Sequence, residues 1–285
     1  MRSDLHVHTH FSDSNFSVRR TLELAQKRGL DCIAITDHDT VAGVPMALAL
    51  GQSLGVKCLP GVEISGFDFQ RQKKAHILGY NFCLDAPSIT ELCSPLLKRR
   101  RENALWQIEM LTKLGYSITK DEVLEKSQHS ASIYKPHLLA VLLEKGYGQS
   151  DYHTLYQTLF SKGAPCAREI LYVDVRDAIR AVKNDGGIAI FAHPGQQDSF
   201  DLIDELWECG LDGIELHHCD NSSEDKERIL TLAKRRPMIL TAGSDFHGNY
   251  GSKVELGDVP ATHSPLFGSS ERTTACRNLG TYGRA

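Results

Sequence analysis

The chain has 285 residues, enough for one large domain or two small ones, and its 41% hydrophobic and 24% charged content is that of an ordinary globular protein. A net charge of −4 argues against a protein that tracks a long nucleic-acid backbone, which needs a basic excess, and favours a small anionic substrate met by a few local cations. No apolar run approaches the roughly 20 residues that span a bilayer, and Met1-Arg2-Ser3-Asp4 leads into a histidine cluster without an apolar signal region, so a cytoplasmic protein away from membranes is expected.

Along the chain, short apolar runs ending in polar residues recur at 4–8, 32–36, 56–59 continuing to 64, 75–79, 187–192, 213–216 and 238–241. Continuous apolar runs of this length suit strands buried on both faces of a parallel sheet. Amphipathic stretches lie between them. Ser17 can cap a helix that carries Val18, Leu22 and Ala25 on one face and stops at Gly29. Asp174 can cap a second, and Ser222 or Ser223 a third. This alternation predicts an α/β architecture with barrel-like closure. From about Pro95 to Pro165 the rhythm breaks into helices, expected at 98–114, 120–126, 136–145 and 150–161. The expected organisation is a barrel from 1–94 and 166–285, with residues 95–165 inserted as a helical substrate cap. Eight scattered cysteines with no CxxC pair read as free thiols of a reducing compartment.

The polar residues at the ends of the runs are nearly all metal-ligand types. They are His6 and His8 with Asp13 in the following loop, then His38, Glu63, His76, His193, Asp245 and His247. In barrel-like α/β folds the site gathers at the C-terminal ends of the strands, so these side chains would converge. The spacings His6-x-His8 and Asp245-x-His247 put both members of a pair on one side of an extended segment. Imidazole and carboxylate suit manganese, iron or zinc, and a carboxylate can bridge two ions. Nine such groups are too many for one divalent ion and about right for three. His10, His129, His153 and His263 fall outside the pattern and read as surface or packing residues.

Six motifs in order, DLHVHTHFSD, AITDHDT, PGVEIS, HILGY, AHPG and GSDFH, closely resemble the polymerase-and-histidinol-phosphatase (PHP) family of metal-dependent phosphoesterases. The resemblance covers residues 4–81 and about 170–250. It implies a distorted seven-stranded, TIM-like (β/α) barrel. It also implies one ion on His6, His8, Glu63 and Asp245, a second on Glu63, His76 and His193, and a third on Asp13, His38 and His247, with manganese favoured. Asp13 fits the branch that keeps a carboxylate there, with His10 as its competitor. Asp37 and Asp39 are expected to orient imidazoles by accepting their other N–H. A hydroxide bridging the ions would attack phosphorus in line.

For the substrate, Lys135-Pro136-His137 stands where relatives often show Arg-Pro-His, and Arg168 lies where the chain returns to the barrel. Lys135, His137 and Arg168 are the expected substrate contacts, while His217 or His218 could ligate phosphate or protonate the leaving group. The run Lys98–Arg101 reads as a solvated helix face from which one arginine could reach the substrate. The expected substrate is a small phosphorylated ribose, monoester or cyclic diester, such as a 5-phosphoribosyl 1,2-cyclic phosphate or a nucleoside 3′,5′-bisphosphate. The alternatives are a 5′-nucleotide or short-oligoribonucleotide hydrolase, a histidinol-phosphate phosphatase, and a non-catalytic metal-binding scaffold.

Overall fold

The computed structural model describes residues 1–251, 254–259 and 266; His263 and Cys276 lie outside the described residues. The first half of the barrel runs β1 (Ser3–Val7), α1 (Val18–Lys27), β2 (Cys32–Ile35), α2 (Val44–Leu54) and β3 (Lys57–Ile64). A small hairpin, β4 (Gly66–Asp68) and β5 (Lys73–Lys74), leads to β6 (Ile77–Tyr80). Four helices follow, α3 (Pro87–Lys113), α4 (Lys120–Lys126), α5 (Lys135–Glu144) and α6 (Tyr152–Phe160). The chain then returns through β7 (Val173–Asp174), α7 (Val175–Asn184), β8 (Ile188–Phe191), α8 (Ile203–Glu208), β9 (Gly213–His217), α9 (Ser223–Ala233) and β10 (Ile239–Ala242).

Seven strands form one sheet in the order β1-β2-β3-β6-β8-β9-β10, and it nearly closes on itself. The segment after β10 lies beside β1: Asp245 N–H donates to the His6 carbonyl and His8 N–H to that of Phe246, each at 2.9 Å. Gly243 permits this approach, because a Cβ there would overlap the backbone and Cβ of His6. The buried Asp4 carboxylate clasps the seam, accepting from Ser244 N–H at 2.9 Å, the Ser244 hydroxyl at 2.6 Å and Gly257 N–H at 2.7 Å.

One strand departs from the parallel sheet expected from the apolar runs. β6 is antiparallel to both of its neighbours, β3 and β8. The link of residues 65–76 is taken up by the β4–β5 hairpin and holds no crossover helix, so the chain can only turn back. This reversal puts His76, which precedes β6, at the same end of the barrel as residues that follow the other strands.

The caps follow the sequence. Ser17 accepts from Arg20 N–H, Asp174 from Arg176 N–H, and Ser222, of the two serines considered, from Asp225 N–H. α3 is the exception: it begins at Pro87 and passes through Pro95, so position 95 lies inside a helix. Its early start is capped from a distance, by an Asp185 carboxylate that accepts from Ser88 and Ile89 N–H at 3.1 and 2.9 Å. The first half of α3 buries Ile89, Cys93 and Leu96 against the barrel. Its second half joins α4–α6 around a separate cluster that includes Ala104, Leu111, Leu138, Leu142 and Leu159. Inside the barrel, Leu5, Ala34, Leu78 and Ile190 pack together, and the Tyr80 hydroxyl donates to the Leu5 carbonyl at 2.7 Å. Among the described residues no helix is long and apolar enough to cross a membrane.

Candidate metal centre

The nine ligand-type residues named from the sequence meet at one end of the barrel. Glu63 is the hub. Its Oε2 lies 3.3, 3.2 and 3.1 Å from His6 Nε2, His8 Nε2 and His38 Nδ1. Its Oε1 lies 2.8 Å from His76 Nδ1 and 2.9 Å from His193 Nε2. Asp245 Oδ1 approaches the same two Nε2 atoms, at 3.3 Å from His6 and 3.1 Å from His8. On the far side Asp13 Oδ1 is 3.4 Å from His247 Nε2, and Asp13 Oδ2 is 3.9 Å from His38 Nε2. The donors fall into adjoining groups with mutual spacings fit for an ion: His6, His8, Glu63 and Asp245; His38, Glu63 and His76; and His8, Asp13, His38 and His247.

Two local features aim these side chains. A bulge places two residues of β1 opposite one of β2 between Asp4 and Val7, re-aiming the strand where His6 begins. His193, Asp245 and Asp39 have φ of 23°, 56° and 59°, a left-handed backbone that non-glycine residues adopt at a cost. Strain gathered in this way is typical of sites whose surroundings over-determine the geometry.

The hydrogen bonds made by the second ring nitrogens fix the tautomers. His6 Nδ1–H donates to Glu215 Oε1 at 3.1 Å and His247 Nδ1–H to the Asp245 carbonyl at 2.7 Å, leaving each Nε2 lone pair facing inward. Glu215, fully buried on β9, also accepts from His193 N–H at 3.0 Å. It was missed in the sequence, although its place at the polar end of an apolar run was a signal. Neither Asp37 nor Asp39 takes the expected role. Asp37 accepts from Thr9 N–H, the Thr9 hydroxyl and the Ser12 hydroxyl, each at 2.7 Å. It reaches His8 Nδ1 only through Ser12, whose oxygen is 3.4 Å away. Asp39 accepts from Ser65 N–H and from Arg100, each at 2.8 Å.

Buried carboxylates require nearby positive charge. Burial opposes ionisation of Glu63, but His38, His6 and His76 outweigh it and hold the group well below the usual carboxylate range. Asp245 is held down in the same way, by His6 and His247. Burial disfavours protonation of His8, yet Asp245, Glu63 and Asp13 push it up to about 10; at His38 burial prevails and the pKa falls to about 4. The His8 and His247 rings stack at 4.0 Å, a poor arrangement for two imidazolium cations and a good one for neutral rings beside an ion. Buried His6 Nε2, His8 Nε2, His193 Nδ1, Asp13 Oδ1 and Asp245 Oδ1 have no hydrogen-bond partner. A donor set of imidazoles and carboxylates with such inward-facing atoms fits hard-to-borderline divalent ions.

Two residues expected at the substrate stand elsewhere. β9 bulges at Leu216: Thr241 pairs with Glu215 and the next residue, Ala242, with His217. The alternation is thereby re-phased, so His217 is exposed while His218 is buried, with Nε2 3.6 Å from Asp245 Oδ2. His137 is also buried and is absent from the cleft wall; its Nδ1 accepts from Tyr134 N–H at 3.1 Å and so caps α5. Lys135 and Arg168 do line the cleft above the metal ligands, a space of about 1010 Å³. Lys135 Nζ lies 5.3 Å from the Tyr156 ring, and Arg168 is held by Asn103 at 2.7 Å over the Trp106 ring. Arg100, one of the basic run, is deeper, bonded to Asp39 and at 3.0 Å to the Ser65 hydroxyl. His10 packs on Phe11 and His129 and joins none of the ligand groups, while His153 is exposed on the cleft wall.

Comparison with known proteins agrees with this geometry. The PHP domain family model matches residues 4–171. A phosphoribosyl 1,2-cyclic phosphate 1,2-diphosphodiesterase of Eggerthella lenta is 45% identical over 92% of this chain and 100% of its own length. A 3′,5′-nucleoside bisphosphate phosphatase of Chromobacterium violaceum is 26% identical over 93% of this chain and 94% of its own. A solved structure from Bifidobacterium adolescentis, described as a metal-dependent phosphoesterase, superposes with a TM-score of 0.84 at 30% identity, covering 90% of this chain and 91% of that one. This chain belongs to the PHP domain family and is a hydrolytic, metal-dependent phosphoesterase.

Proposed function

We propose that the enzyme hydrolyses a small ribose carrying two phosphoryl positions, a 5-phosphoribosyl 1,2-cyclic phosphate foremost, at a centre of three divalent ions. The observation that carries this reading is the arrangement of cations at two depths. Arg100 lies beside Ser65 and Asp39 near the ligands, with a buried Nε that has no partner, while Lys135 and Arg168 stand further out on the cleft wall. A phosphoryl group among the metal ligands would leave a second one within reach of the outer pair. The Eggerthella lenta relative, similar over its entire length, acts on a molecule of that form.

The first ion would be held by His6, His8, Glu63 and Asp245, the second by Glu63, His76 and His193, and the third by Asp13, His38 and His247. Manganese is favoured, and iron or zinc also suit these donors. When bound, the ions supply an activated water and neutralise charge on the phosphoryl oxygens. Glu215 and the Asp245 carbonyl keep the ligand imidazoles in the tautomer that frees Nε2. Asp220 N–H donates to His218 Nδ1 at 3.1 Å, so the His218 proton sits on Nε2, facing Asp245 and the site. As water adds to phosphorus and one ribose P–O bond breaks, the His218 Nε2–H donates a hydrogen bond to the departing ribose oxygen, and the proton lost by the water ends on that oxygen. Residues 95–165 act as the substrate cap, a role supported by their separate apolar cluster and their share of the cleft wall. Cytosolic residence is in keeping with seven free cysteines among the described residues.

A nucleoside 3′,5′-bisphosphate is the second reading, favoured by the stacked Tyr152 and Tyr156 rings on the cleft wall. Phosphate-release kinetics on both compounds and on a small chromogenic ester separate the two. Arg168→Ala should cut kcat/KM for the preferred two-phosphate substrate by about tenfold to a hundredfold, the worth of one charge-assisted contact, and spare the chromogenic ester. Equal losses on both would make Arg168 a structural residue.

A further inference from the structure

The three ligand groups are braced differently. His6, Glu63, His76, His193 and Asp245 are held by the barrel itself. The His6 carbonyl accepts from Asp245 N–H at 2.9 Å, the His76 carbonyl from Ala192 N–H at 3.1 Å and the Glu63 carbonyl from Asp39 N–H at 2.8 Å. Asp13, His38 and His247 sit just past the strands, where His38 still bridges to Glu63 and Phe246 to Val7, and their loops also meet the helical segment. The Ser130 hydroxyl donates to the Ser12 carbonyl at 2.6 Å and Ala131 N–H to the Phe11 carbonyl at 2.9 Å, fixing the turn that presents Asp13. The Tyr134 hydroxyl donates to the His38 carbonyl at 2.8 Å. Tyr152 abuts Gly251, four residues past His247, so closely that a Cβ at Gly251 would strike its ring.

We propose that Ser130 and Tyr134 are positioning residues for the third ion: the helical segment that walls the substrate cleft also sets the affinity of the Asp13–His38–His247 group. The inference rests on the three-ion reading. Its physical basis is that a weak polydentate site depends on preorganised donors, and two of its three loops are pinned by side-chain hydroxyls that lie outside the barrel. Whatever shifts the segment, substrate in the cleft above all, would shift that ion and leave the other two in place.

The test is metal titration of Tyr134→Phe and Ser130→Ala against wild type, by calorimetry and elemental analysis, starting from metal-free protein whose melting temperature is recorded. Tyr80→Phe, which deletes an equally buried hydroxyl bonded to the Leu5 carbonyl inside the barrel, is the control. Each of the two segment variants should weaken the loosest of three ions by about three- to tenfold, the worth of one neutral hydrogen bond. The tighter two ions and the metal-free melting temperature should not change, and Tyr80→Phe should not single out the loosest ion. Three ions bound with wild-type affinity in both variants would overturn the proposal, as would a uniform loss of all ions with a lowered melting temperature. Wild type saturating at two ions would instead undo the three-ion reading, and the inference with it.

Discussion

Two regions of this molecule border the candidate metal centre, and they hold their parts in unlike ways. The barrel fixes its candidate donors through backbone hydrogen bonds between neighbouring strand ends, from Asp245 to His6, Ala192 to His76 and Asp39 to Glu63. The helical segment, with a core of its own, steadies loops by single hydroxyl contacts from Ser130 and Tyr134. The first arrangement yields only if the sheet yields. The second can be loosened one bond at a time, as the proposed substrate cap would require.

The sharpest way to break this comparison is to remove the hub. Glu63→Gln takes away the carboxylate charge that five imidazoles share, and should lower kcat by at least about a thousandfold while releasing two ions, since an uncompensated buried charge cluster is worth several kcal/mol. Asp13→Asn should cost less and release one. If steady-state rates and elemental analysis show the two variants to be equally damaged, the centre is a single unit and the division into halves is wrong.

A smaller effect is expected one layer out. Glu215→Gln keeps the shape of the side chain but weakens the acceptor that fixes the His6 tautomer, and should reduce metal affinity by about ten- to a hundredfold. The loss should fall on the barrel-held ions. If competition with a chelator finds only the loosest ion affected, Glu215 acts through the loops and the assignment of His6 to the rigid half fails.

The most local effect belongs to the helical segment and to acid. Burial lowers His137 to about 4 in the folded protein, against about 6.5 when exposed. Between these values the unfolded chain binds a proton that the folded one refuses, so stability is lost as pH falls from about 6.5 towards 4, by on the order of 3 kcal/mol in all. Hydrogen exchange followed from pH 7 to pH 5 should find α5 losing protection before β3 and β8. In His137→Gln, whose amide oxygen can still accept from Tyr134 N–H, that difference should disappear. Barrel strands opening first in the wild type would reverse the ranking of the two regions.

The sequence made one half of this comparison easier to read than the other. Apolar runs ending in ligand-type residues located all seven barrel strands and pointed to nine side chains that the fold gathers at one end, because both depend on local pattern. The direction of β6 was not local: it follows from the absence of a helix in residues 65–76. The choice between His217 and His218 turned on a bulge that shifts the alternation by one residue, and bulges leave no reliable mark in composition. α3 was expected to start eleven residues late because its cap, Asp185, lies 97 positions away from Ser88. Nothing in the sequence singled out Tyr134 or Ser130, since a hydroxyl aimed at a distant carbonyl has no signature in its own neighbours.

The clasp at Asp4 has a consequence in time. It joins the first strand to Ser244 and Gly257 across 240 and 253 positions, on the segment that also delivers Asp245 and His247. In the proposed arrangement the two ions that need Asp245 or His247 therefore wait for the seam to shut, while the Glu63, His76 and His193 group does not depend on it. Contacts of such long range form late, because the entropy of closing the loop is lost before they contribute anything. Asp245 and His247 thus come into register with His6 and His8 late in folding.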